Sequence, residues 1–255
     1  MEAFLATGRG ESMDEPPEDT VDSEAWYRRV REEDHSPRLW RYMSFSQFAF
    51  ILQTKTLYFP SLLELSREDP WEGRSRLQDT VEADRTPIDA PVSKTMGELA
   101  RKAYEDTRVS CWHMNHTESY GMWKAYLKTT EGVAVQTTVD GLSAALMPPY
   151  PLAIDSVSYV DDNDLRLDRA AHLYKRREFE YEQEVRAHFL SGRFGGITTI
   201  RVATDLLIQT LAVDPWSPPW FQELLSNLMA RYGLGYVPVS KSSIAQAPSP
   251  RGARS

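Results

Sequence analysis

Two periodicities divide the chain. Short runs with apolar residues, "RLWRYMSF" (Arg38 to Phe45), "TLYFPSL", "RVSCWHM", "AIDSVSYV" and "GYVPVS", each read as a strand. "GVAVQTTV", opening at Gly132, adds a run rich in β-branched residues. Pro60 ends the second of these strands or puts it at a sheet edge. "ITTIRVAT" and "LLIQTLAV" also read as strands, with helix as the alternative for the first part of the latter.

Helical spacing governs other stretches. "SFSQFAFILQT" presents Phe48, Ile51 and Leu52 on one side, with Ser44 or Ser46 able to cap it. Ser93 to Asp106 reads as a helix, and "ESYGMWKAYLK" as a short one carrying Tyr120, Trp123, Tyr126 and Leu127. "DDNDLRLDRAAHLYKRR" reads as a loop leading into a helix. "SPPWFQELLSNLMARYGLG" has Ser217 as its cap, Pro218 at its first position, and an apolar face of Phe221, Leu224, Leu225, Leu228 and Met229 before Gly233 stops it. Regular βαβα alternation is missing. The expected fold is therefore α+β: a single domain with a mixed, largely antiparallel sheet flanked by helices.

The sharpest pattern is "REFEYEQEVRAHF", Arg177 to Phe189. With a period of two, Phe179, Tyr181, Gln183, Val185, Ala187 and Phe189 fall on one side. Glu178, Glu180, Glu182, Glu184, Arg186 and His188 fall on the other. A strand satisfies more of these positions than a helix. Solvation is the ordinary fate of such a charged face. Glutamates two apart on a strand face sit roughly 6.5–7 Å from each other, so a file of them repels unless cations or a polar ligand compensate.

Composition narrows the setting. The 255 residues are 41% hydrophobic and 26% charged, which is ordinary for a globular chain with a sizeable core. Residues 1–24 read as a disordered acidic tail and residues 245–255 as a disordered basic one, leaving one globular unit over residues 25–244. No apolar run is long enough to span a bilayer, and the first residues do not form a secretory signal. One cysteine, Cys111, excludes an internal disulfide; with the missing signal it leads to the expectation of a cytoplasmic protein. The net charge of -8 argues against general nucleic-acid binding.

Local motifs offer little chemistry alone. His113 and His116 are three apart, a spacing that suits a metal on a helix, but the segment leaves a strand and no third ligand is placed; no metal is expected. Nothing marks Cys111 as an activated thiolate. Trp112, Tyr120, Trp123 and Tyr126 are core rings by default, although such rings also line pockets for planar ligands.

The order of several motifs says more. Arg41-Tyr42, then "LYF" at Leu57 to Phe59, then "EDPWEG" at Glu68 to Gly73, then "MWKAY" at Met122 to Tyr126, then "YEQEVR" at Tyr181 to Arg186 resembles the uncharacterised domain-of-unknown-function family 2971. The resemblance covers about residues 38–190. Glu68 stands where that family usually has asparagine, and Val185 where it often has tryptophan. The motif order is in turn remotely similar to that of the ADP-ribosyltransferases.

That similarity implies an NAD-using site with NAD as substrate, in a toxin or defence effector. Cleaving the nicotinamide bond develops positive charge on the ribose, as glycoside cleavage does. Glu184 would hold the ribose and balance that charge, Glu182 would act as general base toward an acceptor, and Arg41 would grip a phosphate or ribose oxygen. Tyr58 or Ser61 would match the middle-strand residue. Tyr42, Asp69, Trp71, Glu72, Trp112, Trp123, Tyr126 and Arg186 would complete the pocket. The expected geometry places Arg41 and Glu184 on neighbouring strands facing one cleft, and side chains on opposite faces of the sheet would end the transferase reading; an ion pair to a nearby carboxylate is the structural alternative for Arg41. Two other functions compete: a non-catalytic module binding a nucleotide, another small molecule or a partner, and a metal-dependent hydrolase built on Asp69, Glu72 and Glu184.

Overall fold

A computed structural model describes residues 36–73, 90–148, 151–161 and 170–245, without the side chains of residues 90–97 and 193. The tails expected at 1–24 and 245–255 lie outside the described residues, Ala245 excepted. In chain order the first half contains β1 (Arg38–Ser44), α1 (Phe45–Thr54), β2 (Thr56–Tyr58), α2 (Leu62–Leu65), α3 (Ala90–Asp106), β3 (Thr107–Met114), α4 (Tyr120–Tyr126) and β4 (Gly132–Thr138). Then follow α5 (Val139–Ala145), β5 (Ala153–Ser156), β6 (Ser158–Val160), β7 (Tyr174–Arg176) and β8 (Glu184–Leu190). The remainder is β9 (Thr199–Arg201), α6 (Thr204–Leu207), β10 (Thr210–Val213), α7 (Pro219–Arg231) and β11 (Val239–Lys241).

Seven strands form one sheet in the order β11-β10-β4-β1-β3-β8-β5, and β2-β9 and β6-β7 make two small ladders. Within the large sheet only β10 and β11 pair in parallel. The α+β expectation therefore holds. One face carries the larger core. Leu39 and Met43 of β1, Val133 and Val135 of β4, and Val185, Ala187 and Phe189 of β8 meet Phe48, Ile51 and Leu52 of α1, Leu142 of α5 and Phe221, Leu225 and Met229 of α7 there. On the other face Trp40 and Tyr42 pack with Met122 and Trp123 of α4. Among the described residues no helix is long and apolar enough to cross a membrane.

Local chemistry explains the boundaries. Ser44, not Ser46, caps α1: its Oγ accepts from Gln47 N–H, while the Gln47 side chain accepts from Ser44 N–H, a reciprocal capping box. Ser44→Ala is expected to cost about 1 kcal/mol, read as a lower urea midpoint with an unchanged slope. An unmoved midpoint would refute this role. At α7 the structure shifts the expected start by one residue: Pro218 is the cap, Pro219 opens the helix, and the Ser217 hydroxyl donates to Asp214 O. "AIDSVSYV" breaks into β5 and β6, and the helix expected before the charged run is a 3-10 turn followed by β7.

The largest correction concerns the charged run. Its strand begins only at Glu184, because Arg177–Glu182 is a 3-10 segment and Gln183 sits in the left-handed region at φ 39°. That kink removes the file of four aligned glutamates. Glu178 and Glu180 face solvent, while Glu182 and Glu184 turn inward to cations.

The sheet is also split. β1 pairs with β4 along its whole length, and β3 pairs with β8 from Thr107↔Leu190 to His113↔Glu184. Between β1 and β3 only Leu39↔Met114 and Trp40↔His113 are paired. Beyond them β3 turns to other partners: Val109 N–H donates to Pro60 O, and Ser61 bridges to Arg108. The gap left between the two strands is where the cleft opens.

Candidate functional site

The cleft holds about 760 Å³, within the range of small-molecule sites. It is lined by Arg41 and Tyr42 from β1, by Cys111, Trp112 and His113 from β3, by Tyr126 from α4, and by Glu182, Glu184 and Arg186 from the charged run. Tyr58, Asp69 and Glu72 also contribute to its walls.

One end is a buried charge network. The Arg186 guanidinium is fully buried and grips Glu184 with two parallel bonds, Nε to Oε1 and Nη2 to Oε2, both 2.9 Å. Its Nη1 donates to Glu72 Oε1 and to the His172 carbonyl, each at 2.6 Å. Lys175 Nζ lies 2.5 Å from Glu182 Oε2, 3.4 Å from Glu184 Oε2 and 3.7 Å from Glu72 Oε2. Three carboxylates thus share two cations, all five side chains being buried. Charges taken out of water persist only when paired and hydrogen-bonded, and this set satisfies that condition.

The electrostatics separate the two glutamates of "EQE". Burial works against the charge of Glu184, but Arg186 and Lys175 overcome it and hold its carboxyl down at about 2. Burial pushes Glu182 above its ordinary value, with Lys175 opposing. Glu184 therefore has both oxygens committed to Arg186, whereas Glu182 keeps Oε1 facing the Tyr126 hydroxyl, 3.4 Å away. The Tyr159 hydroxyl accepts from Glu184 N–H at 2.8 Å and fixes the start of β8. Burial, then Glu184, pushes the Cys111 thiol well up, so it is no thiolate.

The other end is different. Arg41 Nη1 donates to Ser110 Oγ, which also accepts from Trp112 Nε1 at 3.1 Å, and the guanidinium lies 5.6 Å from the centre of the Trp112 ring. No ion pair to Arg41 is found among the described residues, so the expected structural alternative is not realised there. Burial lowers its pKa.

The expected placement of Arg41 against Glu184 needs correction. Their strands are not neighbours, since β3 lies between them. Arg41 shares its face of β1 with Leu39 and Met43 of the larger core, whereas Glu184 alternates with Val185 of that core and so leaves by the other face. They therefore leave the sheet on opposite faces and share a cleft only because the sheet is split between β1 and β3.

Other expected site residues divide. Ser61 is a capping residue: its Oγ accepts from Glu64 N–H at 3.1 Å and it lies outside the cleft lining. Trp71 is exposed, with Arg176 over its ring at 5.7 Å, and Trp123 is a core ring donating Nε1–H to Glu118 Oε2 at 3.0 Å; neither lines the cleft. Tyr42 is mainly structural, its hydroxyl accepting from Ser119 N–H at 2.8 Å. Tyr58 donates to Glu64 from an exposed position at the rim. Asp69 pairs with Arg176 at 3.4 Å, apart from the Glu72–Glu184 centre. That centre is filled by guanidinium and ammonium groups, which leaves the trio of the metal-hydrolase reading without a shared vacancy. His113 and His116 likewise separate, one buried in the cleft wall and the other exposed.

Sequence reasoning missed Lys175, Ser110 and Tyr159, and it weighed His113 only as a metal ligand. Lys175 was assigned to a helix, and nothing local marks it: its partners are contributed by the "DPWEG" turn and the charged run. In that turn Gly73 adopts φ 64°, and an added Cβ would meet Leu62 Cδ1 at 2.7 Å, so any other residue directly after Glu72 would be strained. No protein-family model matches the chain, and no curated protein or solved structure matches it.

Proposed function

We propose that the cleft binds NAD and that the protein is an NAD-cleaving enzyme with Glu182 as its reacting carboxylate; the transferase reading in the form that paired Arg41 with Glu184 on one face has failed, and the split in the sheet is what lets Arg41 and Glu182 share a cleft. One observation carries the NAD reading. A guanidinium without a carboxylate partner among the described residues stands on one wall, and a carboxylate network with one net negative charge stands on the other. A dinucleotide has the complementary halves: an anionic pyrophosphate for Arg41, and a cationic nicotinamide with ribose hydroxyls for the acidic end. Tyr126 and Phe179 supply rings along the way, Trp112 being a ring of the larger core.

The chemistry assigns roles by the freedom of each group. Heterolysis of the C1′–N bond sends the electron pair to nicotinamide, which leaves neutral, and positive charge grows on the ribose. Glu182 Oε1 faces that charge and accepts from a ribose hydroxyl, while Lys175 opposes the effect of burial on the Glu182 carboxyl. An acceptor, water or another nucleophile, then bonds to C1′ and gives up its proton to solvent water. Glu184 serves as scaffold, so Glu182 takes the ribose-facing role that the resemblance implied for Glu184, and Glu184 keeps no direct part in the reaction.

Incubation with NAD labelled in the nicotinamide tests this. Wild type is expected to release nicotinamide, and Glu182→Gln to release it at least about a hundredfold more slowly while still showing a thermal shift with NAD. A shift without release in wild type would make the protein a binding module. With neither, the NAD reading fails.

A further inference from the structure

The cleft has a wall that the reaction does not use. Among the described residues four large apolar side chains are both exposed and part of the cleft lining, and all four are aromatic: Phe50, Tyr58, Tyr126 and Tyr181. They fall into two pairs. Tyr126 and Tyr181 stand at the acidic end, since the Tyr126 hydroxyl is 3.4 Å from Glu182 Oε1 and Tyr181 directly precedes Glu182. Phe50 of α1 and Tyr58 of β2 stand at the Arg41 end. Arg41 leaves β1 by the face against which α1 and β2 pack. Two residues beyond Tyr58, Pro60 O accepts from Val109 N–H, and the next residue, Ser110, holds Arg41.

This second end has the parts of a pocket for a flat molecule. Phe50 is 45% and Tyr58 42% exposed, so an occupant of the cleft can reach both rings. Tyr58 is held in place, its hydroxyl donating to Glu64 with the two carboxylate oxygens at 3.0 and 2.9 Å. Glu64 is itself fixed by the Ser61 N–H, which donates to its Oε2 at 2.9 Å. Ile51 and Leu57 give the wall an apolar floor. Gln47 adds a donor, because the cap of α1 uses only its Oε1 and leaves Nε2 without a partner among the described residues. Fixed rings, an apolar floor and one polar group are what a planar heterocycle uses, and a ring held beforehand spends little entropy on binding.

We infer that Phe50 and Tyr58 form a purine subsite that takes the adenine of the dinucleotide, with Arg41 on the phosphates between it and the reacting ribose. The inference rests on the NAD reading and assigns that ligand's other half. Accessible rings at both ends of the cleft, with a guanidinium between them, match two flat bases joined through a pyrophosphate. An aliphatic tail behind an anionic head would use the floor of Ile51 and Leu57 but gain nothing from the flat faces.

Titration calorimetry with NAD and with nicotinamide mononucleotide tests this, because the mononucleotide keeps the nicotinamide ribose and one phosphate but lacks the adenosine half. Wild type is expected to bind NAD about tenfold or more tightly than the mononucleotide. Phe50→Ala is expected to lose about tenfold for NAD and nothing for the mononucleotide, with a melting temperature within a few degrees of wild type, since the ring is half exposed. Phe50→Leu, which keeps apolar bulk without a flat face, is expected to lose nearly as much as Phe50→Ala. Equal binding of both ligands by wild type, or a change in Phe50→Ala that is absent or the same for both, overturns the inference and leaves the NAD reading standing. So does full NAD affinity in Phe50→Leu, which would make the contact apolar rather than stacked. If wild type binds neither ligand, the NAD reading falls and takes this inference with it.

Discussion

Arg186→Met is expected to lower stability by about 3–5 kcal/mol, the largest loss of any single substitution in the site. Arg186 is fully buried and satisfies both oxygens of Glu184, one of Glu72, and a main-chain carbonyl. Methionine fills a similar volume but leaves three buried carboxylates around Lys175 alone. The cost comes less from the bonds lost than from the charges left unpaired. Urea unfolding measures it. Arg186→Met combined with Glu184→Gln should recover part of the loss, because the second change removes one of the stranded charges. If the single variant does not fold, Arg186→Lys, which keeps the charge without the planar fork, should show a smaller loss. A change below about 1 kcal/mol in Arg186→Met would mean the network is solvated and the burial argument is wrong.

The second large effect is on acid stability. The folded Glu184 carboxyl is held at about 2, where an unfolded glutamate titrates near 4.3. A depressed folded value contributes stability that is complete above the unfolded pKa and disappears as pH falls through the folded one. Glu184 should therefore contribute about 3 kcal/mol at neutral pH, lost between roughly pH 5 and pH 2. Glu182 has the opposite sign. Its folded value is raised by burial, so its charge opposes folding at neutral pH, and protonation relieves that cost as pH falls through the raised value. Unfolding free energy followed from pH 7 to pH 2.5 should fall steeply at the acid end in wild type and less steeply in Glu184→Gln. Glu182→Gln should be as stable as wild type at pH 7 or more so, the signature of a carboxylate kept for a purpose other than stability. Parallel acid limbs in wild type and Glu184→Gln would exclude this account.

Much of the framework was legible because it depends on near neighbours in sequence. The apolar face of α7, Phe221, Leu225 and Met229, follows from a 3.6 period, and its end at Gly233 follows from a positive φ of 76°. The Ser44–Gln47 box is a four-residue signal. The alternation in β8 correctly set Val185, Ala187 and Phe189 toward the larger core. The same alternation misled where the chain kinks at Gln183, because a non-glycine residue in the left-handed region carries no reliable sequence mark.

Part of the lining of the cleft was legible as a set of residues, and its arrangement was not. Glu182, Glu184, Arg186, Glu72, Arg41, Trp112 and Tyr126 do line one cleft. Their roles changed because each depends on a distant partner: Arg186 meets Glu72 across 114 positions, and Arg41 meets Ser110 across 69.

By itself the sequence determined which faces of each strand and helix seek the core, since periodicity and capping act over a few residues. Only the tertiary structure decided that β1 and β3 part after two residue pairs. It alone decided that Lys175 joins the acidic end, and that Glu182, Glu184 and Arg186 of the charged face are buried while Glu178 and Glu180 stay wet. The reason is physical: whether a charge or lone pair can leave water depends on what meets it from elsewhere in the chain, and no local pattern encodes that partner.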